Sequence, residues 1–482
     1  MNQLSYWVGE VLRYTDVVIL GYFLLLNSSL LVLVLLGGWE LASNVRRRAF
    51  AGLDLTFRSP LTPSISVLMP AHNEGAGIVT AVHAMLALRY PRTQVVVIDD
   101  GSTDQTTALL IDEFDLTETP MVMPPDVPVA GEILGVYAPR TGASSPLLVR
   151  KTNGGRSDAV NAGINIADGE LVCMVDADSV LDSDSLLTVV KPFIDDPLRV
   201  VATGGAIRVA NGCTIVGGRV IDVRMPTGWL PRIQVAEYLR SFLLGRSGWS
   251  RLGSVVIISG AFGLFRRDLV VQIGGLARDT VGEDAELVFR LHRRLREWRA
   301  DYRIVFVAEP VCWTEVPSTL AVLGRQRRRW HRGLTELLLL HHRSMIGNRR
   351  YGRIGLLALP FYLLFELLAP VVELAALVLI PAGMLAGVVD IDFAWRFLLV
   401  AYGYAMVVSL LALVMEELVF HRYRRWRDIA AIAAGAVLEN VGYRQLTAWY
   451  RLQGSWSVLR GSKPVWGTMT RQGLGSASKS SG

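Results

Sequence analysis

Three apolar runs constrain this chain before any motif is considered. Residues 17–38, 356–384 and 393–420 are each long enough to cross a hydrocarbon core as a helix. A soluble domain has no place for so much continuous apolar surface, and the composition agrees, with 51% hydrophobic residues and a mean hydropathy of +0.36. The first run is longer than a signal-peptide core, so residues 1–48 read as a retained N-terminal anchor. Arg46, Arg47 and Arg48 follow it directly, whereas Arg13 precedes it in the company of Glu10 and Asp16. The positive-inside rule therefore predicts a multi-pass protein of the inner (plasma) membrane with the next domain in the cytosol.

The second run carries Pro360, Glu366, Pro370 and Glu373 and exceeds one crossing, which divides it into an interfacial helix at 355–369 and a span at 370–388. The third run, 393–420, leads back to a basic cluster that begins at His421. Residues 429–446 form either a fourth span or a second interfacial helix, completing a membrane region over 346–452. A cytosolic tail over 453–482 follows, with its Ser- and Gly-rich end disordered. Glu366 and Glu373 are seven apart and share a helical face. Carboxylates are costly against lipid, so this face predicts a polar seam or a translocation path, the alternative being a position at headgroup level.

Residues 60–345 alternate short apolar runs with helical stretches, the pattern of an α/β domain with a mostly parallel sheet. Strands are expected at 66–69, 95–98 and 171–175, and an inserted loop at 119–145, broken by several prolines, with one short strand at 133–136. The net charge of +6 is modest and the arginines gather at the ends of apolar runs, which argues against a nucleic-acid partner. Cys173, Cys213 and Cys312 have the spacing of neither a zinc site nor a disulfide framework.

Each expected strand ends in a polar motif, and open α/β sheets hold ligands at the carboxyl ends of their strands. Glu74 and Asp100 offer acceptors for a base imide and ribose hydroxyls, although Asp100-Gly101-Ser102 is also an ordinary turn. Lys151 and Arg156 sit in a loop leading into a helix, where cations and the helix dipole would favour a diphosphate; a solvated surface helix is the plainer reading. Asp176 and Asp178 present two hard oxygen donors to a divalent cation, Mg2+ or Mn2+. Glu283 and Asp284 open an amphipathic helix, where a carboxylate serves as a general base or simply as a favourable helix-start charge. Gln326 and Arg329 share a helical face beside Trp330, which suits a stacked sugar but also a juxtamembrane helix with snorkelling arginines.

In this order the motifs resemble those of the processive, membrane-integrated family-2 glycosyltransferases, which include cellulose, hyaluronan, chitin and poly-N-acetylglucosamine synthases. The resemblance runs from about Ser64 to about Gly473. It implies a GT-A type α/β domain joined to transmembrane and interfacial helices, and an inverting, metal-dependent transfer. It places Asp100 on uracil, Glu74 near the nucleoside, Lys151 and Arg156 near the diphosphate, Asp176 on the nucleotide sugar and Asp178 on the metal. Asp284 is implied as the base beside Glu283, and Gly260 as part of the small-residue loop under the acceptor. Gln326, Arg329 and Trp330 are implied for acceptor and diphosphate. The partners implied are a UDP-sugar, a polysaccharide acceptor and the lipid bilayer, with accessory export subunits as further candidates. Two other readings stay open: transfer of one sugar to a lipid-linked acceptor, and a non-catalytic nucleotide-sugar-binding scaffold. Which sugar is used is not written in these motifs.

Overall fold

The computed structural model describes residues 3–48, 52–140, 146–420 and 425–462. The expected disorder at 473–482 and the first part of the basic cluster, 421–424, lie outside the described residues. The strands are β1 (Ile65–Ala71), β2 (Thr93–Asp100), β3 (Leu116–Glu118), β4 (Ile133–Pro139), β5 (Leu147–Lys151), β6 (Leu171–Val175), β7 (Val180–Leu181), β8 (Val200–Val209), β9 (Thr214–Val216), β10 (Arg219–Asp222), β11 (Phe262–Arg266) and β12 (Arg303–Thr314). All except the small β9–β10 hairpin join one sheet, in the order β3-β4-β5-β2-β1-β6-β11-β8-β12-β7. Strands β5, β2, β1 and β6 are parallel neighbours, so their carboxyl ends share one rim.

Register then decides what meets on that rim. Asp100 pairs with Lys151, and Ala71 with Asp99. Strand β11 runs antiparallel to β6 and starts with Phe262 opposite Val175, which sets the loop before β11 beside the residues that follow β6. The expected strands and the short strand in the insertion are present, and β3, β5 and β7 to β12 are additions to them.

Both faces of the sheet are covered, which is why its central strands are continuous apolar runs. Val67, Met69, Val95 and Val97 face one core, built with the helices Ile78–Leu86 and Ser185–Asp195. Leu68, Val96 and Ile98 face the other, which continues without a break into Leu33 and Leu41 of the helix Gln3–Arg48 and Val408 and Leu413 of the helix Tyr404–Phe420. The α/β sheet and its helices are therefore fused to the apolar helices by shared core.

Among the described residues three helices are long and apolar enough to cross a membrane: Tyr14–Ser43, Ile354–Leu385 and Ile391–Phe420. The second bends at Leu368, just before Pro370, where the sequence suggested a division. The helical run from Trp229–Tyr238 to Arg246–Arg251, not anticipated from the sequence, packs on the first apolar helix. Glycines set that contact: a Cβ at Gly37 would lie 2.4 Å from the Leu244 carbonyl oxygen, and one at Gly248 would lie 2.5 Å from that of Leu33. Residues 426–438 and 444–459 form two shorter helices, the second running on to Leu459 into the stretch read from sequence as a tail.

Candidate active site

The loops after β1 and β2 are tied to each other. Asn73 adopts φ 56°, uncommon for a residue with a side chain, and its side-chain oxygen accepts from the Thr103 N–H at 2.8 Å. Asp99 spends its carboxylate on its own turn, accepting from the Ser102 N–H at 2.9 Å and from the Thr107 hydroxyl. Gly101 has φ 69°, and a Cβ there would stand 2.7 Å from the Asn153 nitrogen, so only glycine lets this turn pack on the next loop.

Asp100 organises that next loop. Its carboxylate accepts from Lys151 Nζ at 2.6 Å and from the N–H groups of Gly154 and Gly155 at 2.9 and 2.8 Å. Lys151 is fully buried and also reaches Asp158 at 2.9 Å and the Thr152 carbonyl at 2.7 Å, which uses all three of its donors. The structure thus places Lys151 behind the pocket instead of on a diphosphate. Asp158 further accepts from the N–H groups of Ala130 and Gly131 at 2.7 and 3.0 Å, stitching the proline-rich insertion to this loop. Burial opposes its ionisation, but these N–H groups and Lys151 hold it below the usual carboxylate range.

Arg156 begins the helix Arg156–Ile166 and is the hub of the centre. Its Nε donates to Asp176 at 2.8 Å, Nη1 to Glu283 at 3.2 Å and Nη2 to the Gly260 carbonyl at 2.6 Å. Burial disfavours its charge, yet Asp176 and Glu283 raise it above the ordinary arginine value, so it is a permanent cation. Burial pushes Glu283 up, with Asp284 adding to the rise against the pull of Arg156. Asp284, half-buried at the start of the helix Glu283–Glu297, accepts from the Gly260 N–H at 3.0 Å and from the Ala285 N–H at 2.8 Å.

The helix Leu320–Thr335 carries Gln326, Arg329 and Trp330 and touches the Asp284 loop backbone to backbone. A Cβ on Gly282 would meet the Gly333 Cα at 3.2 Å, which accounts for a glycine before Glu283-Asp284. Glu336 closes the joint: it accepts from the Thr280 hydroxyl at 2.9 Å, the Val281 N–H at 3.3 Å and Arg332 at 2.8 Å. Trp330 lies with its ring centroid 5.9 Å from Phe242 and with the Arg327 guanidinium 4.8 Å from its own ring.

One cavity of about 2290 Å³ joins these parts, far larger than a pocket for a single small ligand. It runs from His72, Asp100 and Asp178 past Asp284 and Trp330 to Asn27, Glu366 and Glu373 between the apolar helices. Its inner stretch is polar through ion pairs: Glu366 with Arg451 at 2.9 Å and Glu373 with Arg444 at 2.9 Å.

The signature of glycosyl transferase family group 2 matches residues 171–413, half of the chain, and that of glycosyl transferase family 2 matches residues 66–119. The chain belongs to glycosyl transferase family group 2. A poly-beta-1,6-N-acetyl-D-glucosamine synthase of Staphylococcus aureus is 28% identical over 287 residues, 60% of this chain and 58% of the relative. The enzyme of that name from Staphylococcus epidermidis is 27% identical over 307 residues, 64% of this chain and 61% of the relative. The chain thus matches about three-fifths of the length of these curated relatives. Among solved structures, a mannosyltransferase from Pyrobaculum calidifontis in complex with GDP-Man and Mn2+ shares the fold, with a TM-score of 0.50 at 19% identity over 88% of this chain and 99% of that one. The expected GT-A type fold stands on that likeness together with the mixed, mostly parallel sheet.

For a family group 2 glycosyltransferase the gathering of residues is informative. Every residue singled out from the sequence, except Lys151, lines the one cavity. Two others there, His72 and Arg246, escaped the sequence reading, and so did Glu336, which lies behind the wall. His72 approaches the Asp100 carbonyl at 2.9 Å, Glu336 braces the Asp284 loop, and Arg246 lies near Asp284. Only Glu336 left a local signal, its helical i,i+4 pairing with Arg332.

Proposed function

We propose that the chain is an inverting, metal-dependent hexosyl or N-acetylhexosaminyl transferase that uses a UDP-sugar on the cytosolic side of the inner membrane and extends a β-linked polysaccharide. The observation that carries this reading is the single cavity in which a carboxylate-rich rim, Asp284 and Trp330 stand in series before a polar passage between apolar helices. The names of the curated relatives, polysaccharide synthases, support it.

In this mechanism Asp284 accepts the proton of the acceptor hydroxyl as that oxygen attacks the anomeric carbon and the bond to UDP breaks. Two backbone N–H groups fix its carboxylate, so its direction is set before substrate arrives. Arg156 keeps Asp176, Glu283 and Gly260 at fixed spacing, and Arg329 offers a further cation to the leaving diphosphate. Asp176 and Asp178 fit a hard divalent cation by the chemistry of their oxygens. Among the described residues no group of three or more His, Cys, Asp or Glu could hold one alone, so donor diphosphate and water would complete its shell. When bound, such an ion neutralises charge that develops on UDP.

UDP release by the purified chain in lipid nanodiscs, with a panel of UDP-hexoses and UDP-N-acetylhexosamines and Mg2+ or Mn2+, tests the reading. No release with any donor would sink it. The apolar wall at Leu26, Leu30 and Leu33 favours a second reading, a lipid-linked acceptor taking one sugar. A product of one added residue in the same assay selects it over polymer.

A further inference from the structure

We propose that Arg246 is an acceptor-binding residue that donates hydrogen bonds to the terminal acceptor sugar and excludes a sugar bearing a free ammonium group, an inference that rests on the transferase reading of the cavity. The helix Trp229–Tyr238 widens into a π-helical stretch, Leu239–Gly245, before continuing as Arg246–Arg251. Such widened turns recur at functional sites. This one sets Phe242 and Arg246 on the cavity wall, with the guanidinium 4.5 Å from the Phe242 ring, which in turn leans on Trp330 at 5.9 Å. Stacking surface and cation therefore form one continuous platform.

Arg246 differs from five other arginines of the wall in having no ion pair among the described residues. Arg156 is held by Asp176 and Glu283, Arg240 by Glu439, Arg327 by Glu237, Arg444 by Glu373 and Arg451 by Glu366. Arg246 makes no hydrogen bond or ion pair with any described residue; its ring contact with Phe242 is its one close interaction among them. Burial pushes it below the ordinary arginine value, with Tyr362, Asp284 and Tyr238 near enough to oppose that fall. A half-buried guanidinium on the cavity wall, with no acceptor among the described residues, turns its donors to whatever fills the cavity.

A sugar stacked on Trp330 with its attacking hydroxyl at Asp284 supplies them, through ring hydroxyl oxygens or an acetamido carbonyl. An ammonium offers no lone pair and brings like charge beside the guanidinium, so a free-amine terminus is disfavoured where an N-acetylated one is bound.

The full chain in detergent is given β-linked glucosamine oligosaccharides whose terminus is either N-acetylated or free amine, at a pH that keeps the amine charged. Binding is read by calorimetry and acceptor KM by UDP release. The native chain should prefer the acetylated terminus by about tenfold or more, the scale of hydrogen bonds from a charged donor. Arg246→Met should bring that preference to within about twofold and raise the KM for the acetylated acceptor, whereas Arg246→Lys should raise KM but keep the preference, because it keeps the charge. UDP affinity close to native in both variants verifies folding. Full preference retained by Arg246→Met would overturn the proposal, and so would a loss confined to UDP affinity, which would move Arg246 to the donor side. If the native chain releases no UDP with any donor, the transferase reading fails on its own, and the calorimetric comparison still decides the role of Arg246.

Discussion

Asp284 accepts backbone N–H groups at both carboxylate oxygens; Asn keeps the size of the side chain but can accept at one position only, and it removes the base. Asp284→Asn should keep UDP binding and lower turnover by roughly two to four orders of magnitude, the range of a lost general base; a variant that loses nucleotide affinity instead would show the base has been misplaced. Asp178→Asn and a chelator should act alike and without additivity, since both remove the counter-charge of the diphosphate. Full turnover of Asp178→Asn in excess chelator would end the metal assignment. A pH effect on stability follows from His292, which is buried, lies 2.7 Å from the Val255 carbonyl and 2.7 Å from the Tyr302 hydroxyl, and is pushed by burial down to about 4. Its neutral form is the folded form, so its stabilising effect is complete above the unfolded value near 6.5 and declines as pH falls towards 4. The full loss is about 3 kcal/mol. The unfolding midpoint should drop across that window, and His292→Gln should flatten the drop; an unchanged slope in the variant would assign the acid sensitivity elsewhere.

At the scale of elements, the decisive joint is the one between the helix Leu320–Thr335 and the loop that presents Asp284. Gly282 and Gly333 let the two backbones touch, and Glu336 bridges from the helix end to Thr280 and Val281. Gly333→Ala would need the backbones to part by a few tenths of an ångström, because its Cβ would lie 3.0 Å from the Gly282 Cα. Misplacement on that scale typically costs catalysis rather than folding, so kcat should fall by about ten- to a hundredfold with the donor KM nearly unchanged. Equal loss in kcat and in thermal stability would reduce the joint to packing. The helices and central strands themselves were legible, because apolar runs of span length and strand runs ending in carboxylates are local patterns. The setting of Lys151 was not legible, because Asp100 of another strand holds its ammonium and the Asp158 that shares it is fixed by Ala130 and Gly131 of the insertion. The end of the helix Arg444–Leu459, from 453 on, passed for a tail because its partners are remote: Gly454 packs on the Arg328 carbonyl, and Ser455 meets Thr335 at 2.9 Å.

At the scale of the whole molecule, the site and the apolar helices share both a core and a cavity. The sequence placed Glu366 and Glu373 on a common face, and both do line the cavity, each paired with an arginine of the C-terminal helix Arg444–Leu459. Such pairs can be read as struts or as a polar lining for a sugar chain, and Glu373 separates the two. It is buried, and deleting its side chain would strand Arg444, a loss of about 3–5 kcal/mol that would confuse folding with function. Glu373→Gln keeps size and one acceptor while removing the charge, and a Glu373→Arg, Arg444→Glu exchange restores the pair in reverse. If the lining guides product, Glu373→Gln in sealed inverted vesicles should lower the polymer found inside by several-fold while UDP release continues. The exchange should fail to restore it, because the passage would then carry the charges in the wrong places. Export recovered by the exchange, with thermal stability recovered in step, would make the pair a strut and leave the passage to the other walls of the cavity.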